Sequence, residues 1–366
     1  MGMVPHGVAA LAAVLALALG SCGQPTGEGD EAGEAGEAGL LIGLLLPENQ
    51  TARYETFDRP LFTREIEERC DTCEVRYANA HDDPATQRQQ IDSMLSQGVD
   101  VLVLDAVDIQ GVRTSVVEAK RAGVPVLAYD RPAEGPISAQ VSHDVEFIGR
   151  LQGEALLEAL GTQDLGDLVV RVDGPAKSSA VRDPFTAGAE PLLEGKAEIS
   201  RVYRAAAWNA GSAYSAMTRA IAVERAENIG GVWAGNDVIA AGVIAALEDR
   251  GVRPLPAVVA QDAELQAVRR ILTGEQYMTV YKPYRPLAEN AAELALVLGR
   301  GEDPRRIAED TIDTATSEDV PAVLLPSQPL TVNTIEETVV EDGMYTIDQI
   351  CTPVYRDACE RAGLVQ

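Results

Sequence analysis

From residue 40 onward, short apolar runs alternate with helix-length segments. That alternation restricts the chain to an α/β architecture built on parallel strands. The strand-sized runs are 40–46, 73–79, 99–104, 124–129 and 140–144, then 168–172, 199–203, 231–234, 257–260 and 277–283. Helical periodicity fills the gaps at 83–97, 108–122, 146–160 and 212–227, in a stretch ending near Leu247, and at 287–298. Gly98 and Gly123 follow two of these segments, where a helix commonly closes on glycine. Residues 320–330 read as extended. A chain of 366 residues has room for two such domains.

One run ends on an acid and a base side by side, Val124-Pro-Val-Leu-Ala-Tyr-Asp130-Arg131. In an open α/β sheet the ligand crevice lies beyond the carboxyl ends of the strands. A carboxylate and a guanidinium there can accept from and donate to one polar ligand. A loop salt bridge would explain a lone Asp-Arg equally well. The motif has an echo, however. Asp105 precedes a helix and Asp130 ends the next strand; Asp237 precedes a helix and Asp262 ends the next strand, after the same interval. Two similar lobes facing one another are expected. Other polar residues follow strand ends: Arg53 and Tyr54, Asp144, Trp208, Asn236 and Lys282. Taken singly, each could be packing or surface charge.

The formal charge is −27, from 57 acidic and 30 basic residues. So acidic a chain repels nucleic acid and anionic lipid surfaces, and neither is an expected partner.

The N-terminal region reads as an export segment. An apolar stretch at 8–19 is too short to span a bilayer comfortably and suits a signal-peptide core. It ends in Leu19-Gly20-Ser21-Cys22, which resembles the lipobox of bacterial lipoproteins. That resemblance implies removal of residues 1–21, acylation of Cys22, and attachment to the outer face of the cytoplasmic membrane. No Lys or Arg precedes the apolar run, only His6. Residues 22–39, rich in Gly, Glu and Ala, cannot form a core and read as a flexible acidic tether. The other cysteines form two local pairs, Cys70 with Cys73 and Cys351 with Cys359. In an exported protein these are expected disulfides. A redox role for Cys70 and Cys73 would need a thioredoxin-like context, and a zinc site would need further ligands where the chain has three His.

Several motifs occur in order: Arg53-Tyr54, Gly98-Val-Asp-Val-Leu-Val, Val126-Leu-Ala-Tyr-Asp130-Arg131, Ser142-His-Asp144, Asn236-Asp237, Gln261-Asp262-Ala263 and Met278-Thr-Val-Tyr-Lys282-Pro283. Together they resemble the type I periplasmic binding proteins of the sugar class, nearest to the D-xylose-binding branch serving ABC importers. The resemblance runs from about 40 to about 340. It implies two doubly wound parallel-sheet lobes, 40–143 plus 283–325 and 144–282 plus 326–366, joined by a three-strand hinge. It implies a monosaccharide ligand, an ABC permease with its ATPase as partner, a monomer, and no cofactor or metal. By position, Arg53 and Arg131 donate to the sugar, and Tyr54 and Trp208 sandwich it. Asp130, Asp144 and Asp262 accept from hydroxyls, Asn236 does both, and Lys282 donates. Tyr54 stands where relatives usually carry Trp. Val145, Ser178 and Ser179 stand where they often carry Asn, which leaves the choice of sugar open.

Enzyme and repressor functions fit the same residues less well. Paired carboxylates could serve a glycosidase, but cationic neighbours lower a carboxylate's pKa where a general acid needs it raised. A sugar-responsive repressor would need a basic helix-turn-helix ahead of the lobes. A lipid-anchored sensor passing closure to a membrane receptor shares every feature of an importer subunit.

Overall fold

The computed structural model describes residues 39–162, 167–175 and 184–365. The export segment, Cys22, nearly all of the acidic tether, and Ser178 with Ser179 lie outside the described residues. Among the described residues, no helix is long and apolar enough to cross a membrane.

The first part of the chain runs β1 (Leu41–Leu46), α1 (Arg59–Arg69), β2 (Glu74–Asn79), α2 (Pro84–Ser96), β3 (Val101–Leu104), α3 (Arg113–Arg121), β4 (Val126–Tyr129) and β5 (Ala139–His143). The second runs α4 (Val145–Thr162), β6 (Leu168–Asp173), α5 (Pro184–Leu193), β7 (Glu198–Ile199), β8 (Tyr203–Arg204), α6 (Ala210–Glu224), β9 (Ile229–Ala234), α7 (Asp237–Asp249), β10 (Ala257–Gln261), α8 (Leu265–Thr273) and β11 (Met278–Tyr281). Then come α9 (Tyr284–Gly299), β12 (Asp310–Ile312), β13 (Val320–Leu325) and β14 (Gln328–Leu330).

Among the described residues the strands form two sheets, ordered β12-β13-β5-β4-β3-β1-β2 and β14-β11-β10-β9-β6-β7, with β8 also on β6. The order is the same in both: the second strand lies outside the first, and the third begins growth on the other side. Only the β12–β13 and β11–β14 pairs are antiparallel. β3, β4 and β5 are buried at every position, as parallel strands covered on both faces must be.

Alternate strand residues face opposite helix layers. In the first lobe Ile42, Val103 and Leu127 pack on α1 and α9, while Leu45, Leu102 and Val126 pack on α2 and α3. In the second, Val170, Val232 and Val258 face α6 and α7, and Val169, Trp233 and Val259 face α4 and α5. The chain passes between the lobes at 143–145, 281–284 and 325–328, because α4 packs on the second sheet and α9 returns to the first. The C-terminal segment packs on the second lobe, with Ile335, Val339 and Cys359 against Tyr281 and Leu330. Cys70 with Cys73 and Cys351 with Cys359 stand at disulfide distance, Sγ–Sγ 2.00 and 1.97 Å.

Several elements differ from the sequence expectation for local reasons. The helix expected from 108 starts at Arg113, because the Asp108 carboxylate accepts from Gln110 N and Gly111 N and holds a turn. The strand expected at 199–203 is two short pieces. Ser200 Oγ takes the Arg171 N–H, interrupting the ladder. The helix expected to reach 227 ends at Glu224, where Arg225 turns to φ 67°. The extended stretch 320–330 is two strands, one in each sheet.

Candidate functional site

Parallel topology brings the carboxyl ends of β1, β3 and β4 to one edge of the first sheet, and those of β6, β9 and β10 to the facing edge of the second. Between them lies a cavity of about 830 Å³, within the range of small-molecule sites. All nine residues singled out from the sequence line it: Arg53, Tyr54, Asp130, Arg131, Asp144, Trp208, Asn236, Asp262 and Lys282. The lobes also touch at the rim, where Ala52 N donates to Glu264 Oε1 at 3.3 Å.

Arg53 opens the helix after β1 and is buried. Residues 54–58 form a π-helical turn, which sets Asp58 under Arg53. The two meet as a fork, Nε to Oδ2 and Nη2 to Oδ1, both at 2.9 Å. Tyr129 also donates its hydroxyl to Asp58 Oδ1. The remaining nitrogen of Arg53, Nη1, donates to Asp130 Oδ2 at 2.9 Å.

Asp130 sits just past β4 with φ 55°, in the left-handed region that Asp tolerates better than most residues. Its N–H donates to Val141 O, and Ser142 Oγ donates to its carbonyl at 2.8 Å. Burial pushes its carboxyl up, but Arg53, Lys282, His143 and Arg131 outweigh burial and hold it well below the usual carboxylate range. It is therefore an ionised acceptor, the opposite of a general acid. Asp262 holds the matching place past β10, with φ 101° and its N–H on Val280 O. Lys282 Nζ lies 2.7 Å from Asp262 Oδ1, and both residues are buried.

Arg131 is held within its own lobe. Nη2 donates to Tyr54 Oη at 3.2 Å, Nη1 to Ala106 O at 3.5 Å, and Nε lies 3.6 Å from Asp105 Oδ1. The guanidinium is 5.9 Å from the ring centroids of both Tyr54 and Trp208, which come from different lobes. The two rings are not alike. Tyr54 is only 3 % exposed and lies under Arg53, whereas Trp208 is half-buried in the loop before α6 and keeps an accessible face. Asn236 caps α7, its Oδ1 accepting from Ile239 N at 3.0 Å. Its NH2 is then the part available to a ligand. Asp144 is exposed at the rim, where Oδ1 accepts from Phe147 N in the first turn of α4.

Sequence reasoning did not single out Asp58, His143, Gln261 or Tyr284. Burial, with the charge on Lys282, pulls His143 down to about 3, so a neutral imidazole lines the cavity. Gln261 donates to Gly235 O and has no hydrogen-bond partner on Oε1 among the described residues. Its place in the Gln261-Asp262-Ala263 motif was the available signal. Tyr284 stacks under Arg53 at 4.4 Å and donates to Asp262 O at 2.5 Å. Only its position just after Lys282-Pro283 hinted at this. Among the described residues, no cluster of His, Cys, Asp and Glu is suited to a metal ion.

Known proteins resemble this chain in sequence and fold. Residues 42–303 match the periplasmic binding protein domain family. The chain is 34 % identical over 310 residues to the D-xylose-binding periplasmic protein of Escherichia coli, covering 83 % of this chain and 90 % of that one. It is 32 % identical over 315 residues to the Haemophilus influenzae protein of the same name, covering 85 % and 92 %. An ABC transporter solute-binding protein from Clostridium phytofermentans, solved with bound β-D-glucose, superposes with a TM-score of 0.73 at 26 % identity over 85 % of this chain and 99 % of that one. Those relatives are binding proteins of transport systems, not enzymes. With two matching parallel-sheet lobes, a cleft at the strand ends and these relatives over most of its length, the chain belongs to the periplasmic binding protein family, type I.

Proposed function

We propose that this protein captures an uncharged monosaccharide between its lobes, a xylose-like pentose first among the candidates, and presents it to an ABC permease. The observation that carries this reading is the pairing of buried bases with acids at the cavity. Arg53 stands against Asp58 and Asp130, and Lys282 against Asp262. Bases held this way by acids are not free to capture an anionic ligand. It still offers ionised acceptors and cationic donors, which make the stronger hydrogen bonds to hydroxyls. Trp208 supplies an apolar face for the sugar's C–H surface. The relatives that carry D-xylose in their names support the pentose.

The mechanism follows from the two-lobed shape. A sugar bonded to Asp130 and Arg131 on one side and to Asn236, Asp262 and Lys282 on the other favours the closed arrangement by differential contact. The closed form is the one a permease would read. The Leu19-Gly20-Ser21-Cys22 motif supports a lipid-anchored, exported working form.

A thermal-shift screen across neutral monosaccharides, sugar acids and amino sugars tests the proposal. Ligands that bind only the folded state raise the melting temperature. Pentoses or hexoses should do so and charged analogues should not; a screen in which only charged compounds stabilise would refute it.

A further inference from the structure

Each lobe carries a fully buried acid, Asp105 immediately after β3 and Asp237 three residues past β9, where α7 begins. Their surroundings differ. Asp237 is satisfied: Oδ1 accepts from Gln276 Nε2 at 2.8 Å, and Oδ2 accepts from Thr279 Oγ1 and from Glu264 N, both at 3.0 Å. The last bond ties down the loop that carries Asp262. Asp105 has no such set, since neither of its carboxylate oxygens has a hydrogen-bond partner among the described residues. Its ion-pair partner is Arg131, whose Nε lies 3.6 Å from Oδ1.

A carboxylate buried without hydrogen bonds is destabilising, and an apolar residue would suit the site better for folding alone. In the second lobe the buried acid between β9 and β10 braces the loop that follows β10, through Glu264 N. In the first lobe the matching loop is Asp130-Arg131, and there the brace meets a side chain that lines the ligand cavity. Arg131 is otherwise held by Tyr54 Oη and Ala106 O. An anchor at Nε fixes the plane of the guanidinium and so the directions of its Nη donors.

We propose that Asp105 is a positioning residue for sugar binding, acting through Arg131 without itself lining the cavity. This rests on the monosaccharide reading above. The charged groups that face Asp105 are Arg131, Asp130, Arg53 and Asp58. Burial pushes its carboxyl up to about 8, so its charge, and with it the brace, grows in as pH rises through neutrality.

The test is calorimetric titration of D-xylose into the whole exported body at several pH values, using the parent protein, Asp105→Asn and Asp105→Leu, with thermal melts of each. Asp237→Asn serves as the contrast. The expected result is that the Asp105 variants melt no lower than the parent, yet bind xylose at least about tenfold more weakly at about pH 9. Part of the parent's gain in affinity between about pH 6 and about pH 9 should vanish in Asp105→Asn. Titration of Asp237 or Glu264 is common to both proteins and drops out of that difference. Asp237→Asn should lower the melting temperature. Variants that bind like the parent with the same pH profile overturn the role, as do variants whose only defect is a lower melting temperature. A parent that binds no monosaccharide overturns the reading of the cavity itself, and this role with it.

Discussion

Asp130 and Asp262 occupy equivalent positions in the two lobes, each one residue past a strand, each with positive φ, and each with its N–H on the carbonyl of the neighbouring strand. Each also faces a buried base, Arg53 for Asp130 and Lys282 for Asp262. The cleft is thus lined by the same device twice, from opposite sides.

The left-handed backbone separates two roles at Asp130. Asp130→Asn keeps a residue that tolerates φ 55° and should fold with little change in melting temperature, while sugar affinity falls. Asp130→Val places a β-branched residue there and should destabilise by about 1–3 kcal/mol. Equal melting temperatures for the two variants would contradict the assignment of strain.

Lys282 and Asp262 are a buried pair, so removing one leaves the other uncompensated. Asp262→Ala is expected to lower sugar affinity by about 2–5 kcal/mol, roughly 30-fold or more, while the circular dichroism stays that of a folded α/β protein. Undiminished affinity would count against the site.

Trp208 and Trp233 are the two tryptophans of the chain. Both border the cavity, but Trp233 is buried with its Nε1 on Gln152 Oε1, whereas Trp208 is half-buried in a loop. Sugar should therefore change the emission through Trp208, and Trp208→Phe should remove most of that change while weakening binding by about 1 kcal/mol. A change of full size in the variant would place the ligand elsewhere.

Asp105 predicts a pH dependence of stability. Its folded-state value of about 8 lies above the unfolded value of about 4. Across that window the folded protein holds a proton that the unfolded chain has released, so stability falls as pH rises. The melting-temperature advantage of Asp105→Asn should widen from about pH 4 to about pH 8 and level off above. An advantage independent of pH would contradict this.

What could be read from the sequence was whatever parallel topology controls. Strand ends all project to one edge, so Asp130, Arg131, Asn236, Asp262 and Lys282 could be gathered from their places after apolar runs, before any contact was known. Partnerships depending on packing were hidden. Asp58 reaches Arg53 only because 54–58 form a π-helical turn. Asp105 and Arg131 meet through neighbouring strands in the sheet. Ser200 breaks its strand with a side-chain oxygen that propensity could not foresee.

If acids and bases from both lobes close on an uncharged sugar, neutral and anionic forms of that sugar must bind differently. Isothermal titration of the unsubstituted protein with D-xylose and, separately, with D-xylonate tests it most directly. One-to-one binding of xylose or a close neutral monosaccharide is expected, and none of the carboxylate. Binding of xylonate as tight as that of xylose, or no heat from any neutral sugar, would contradict it.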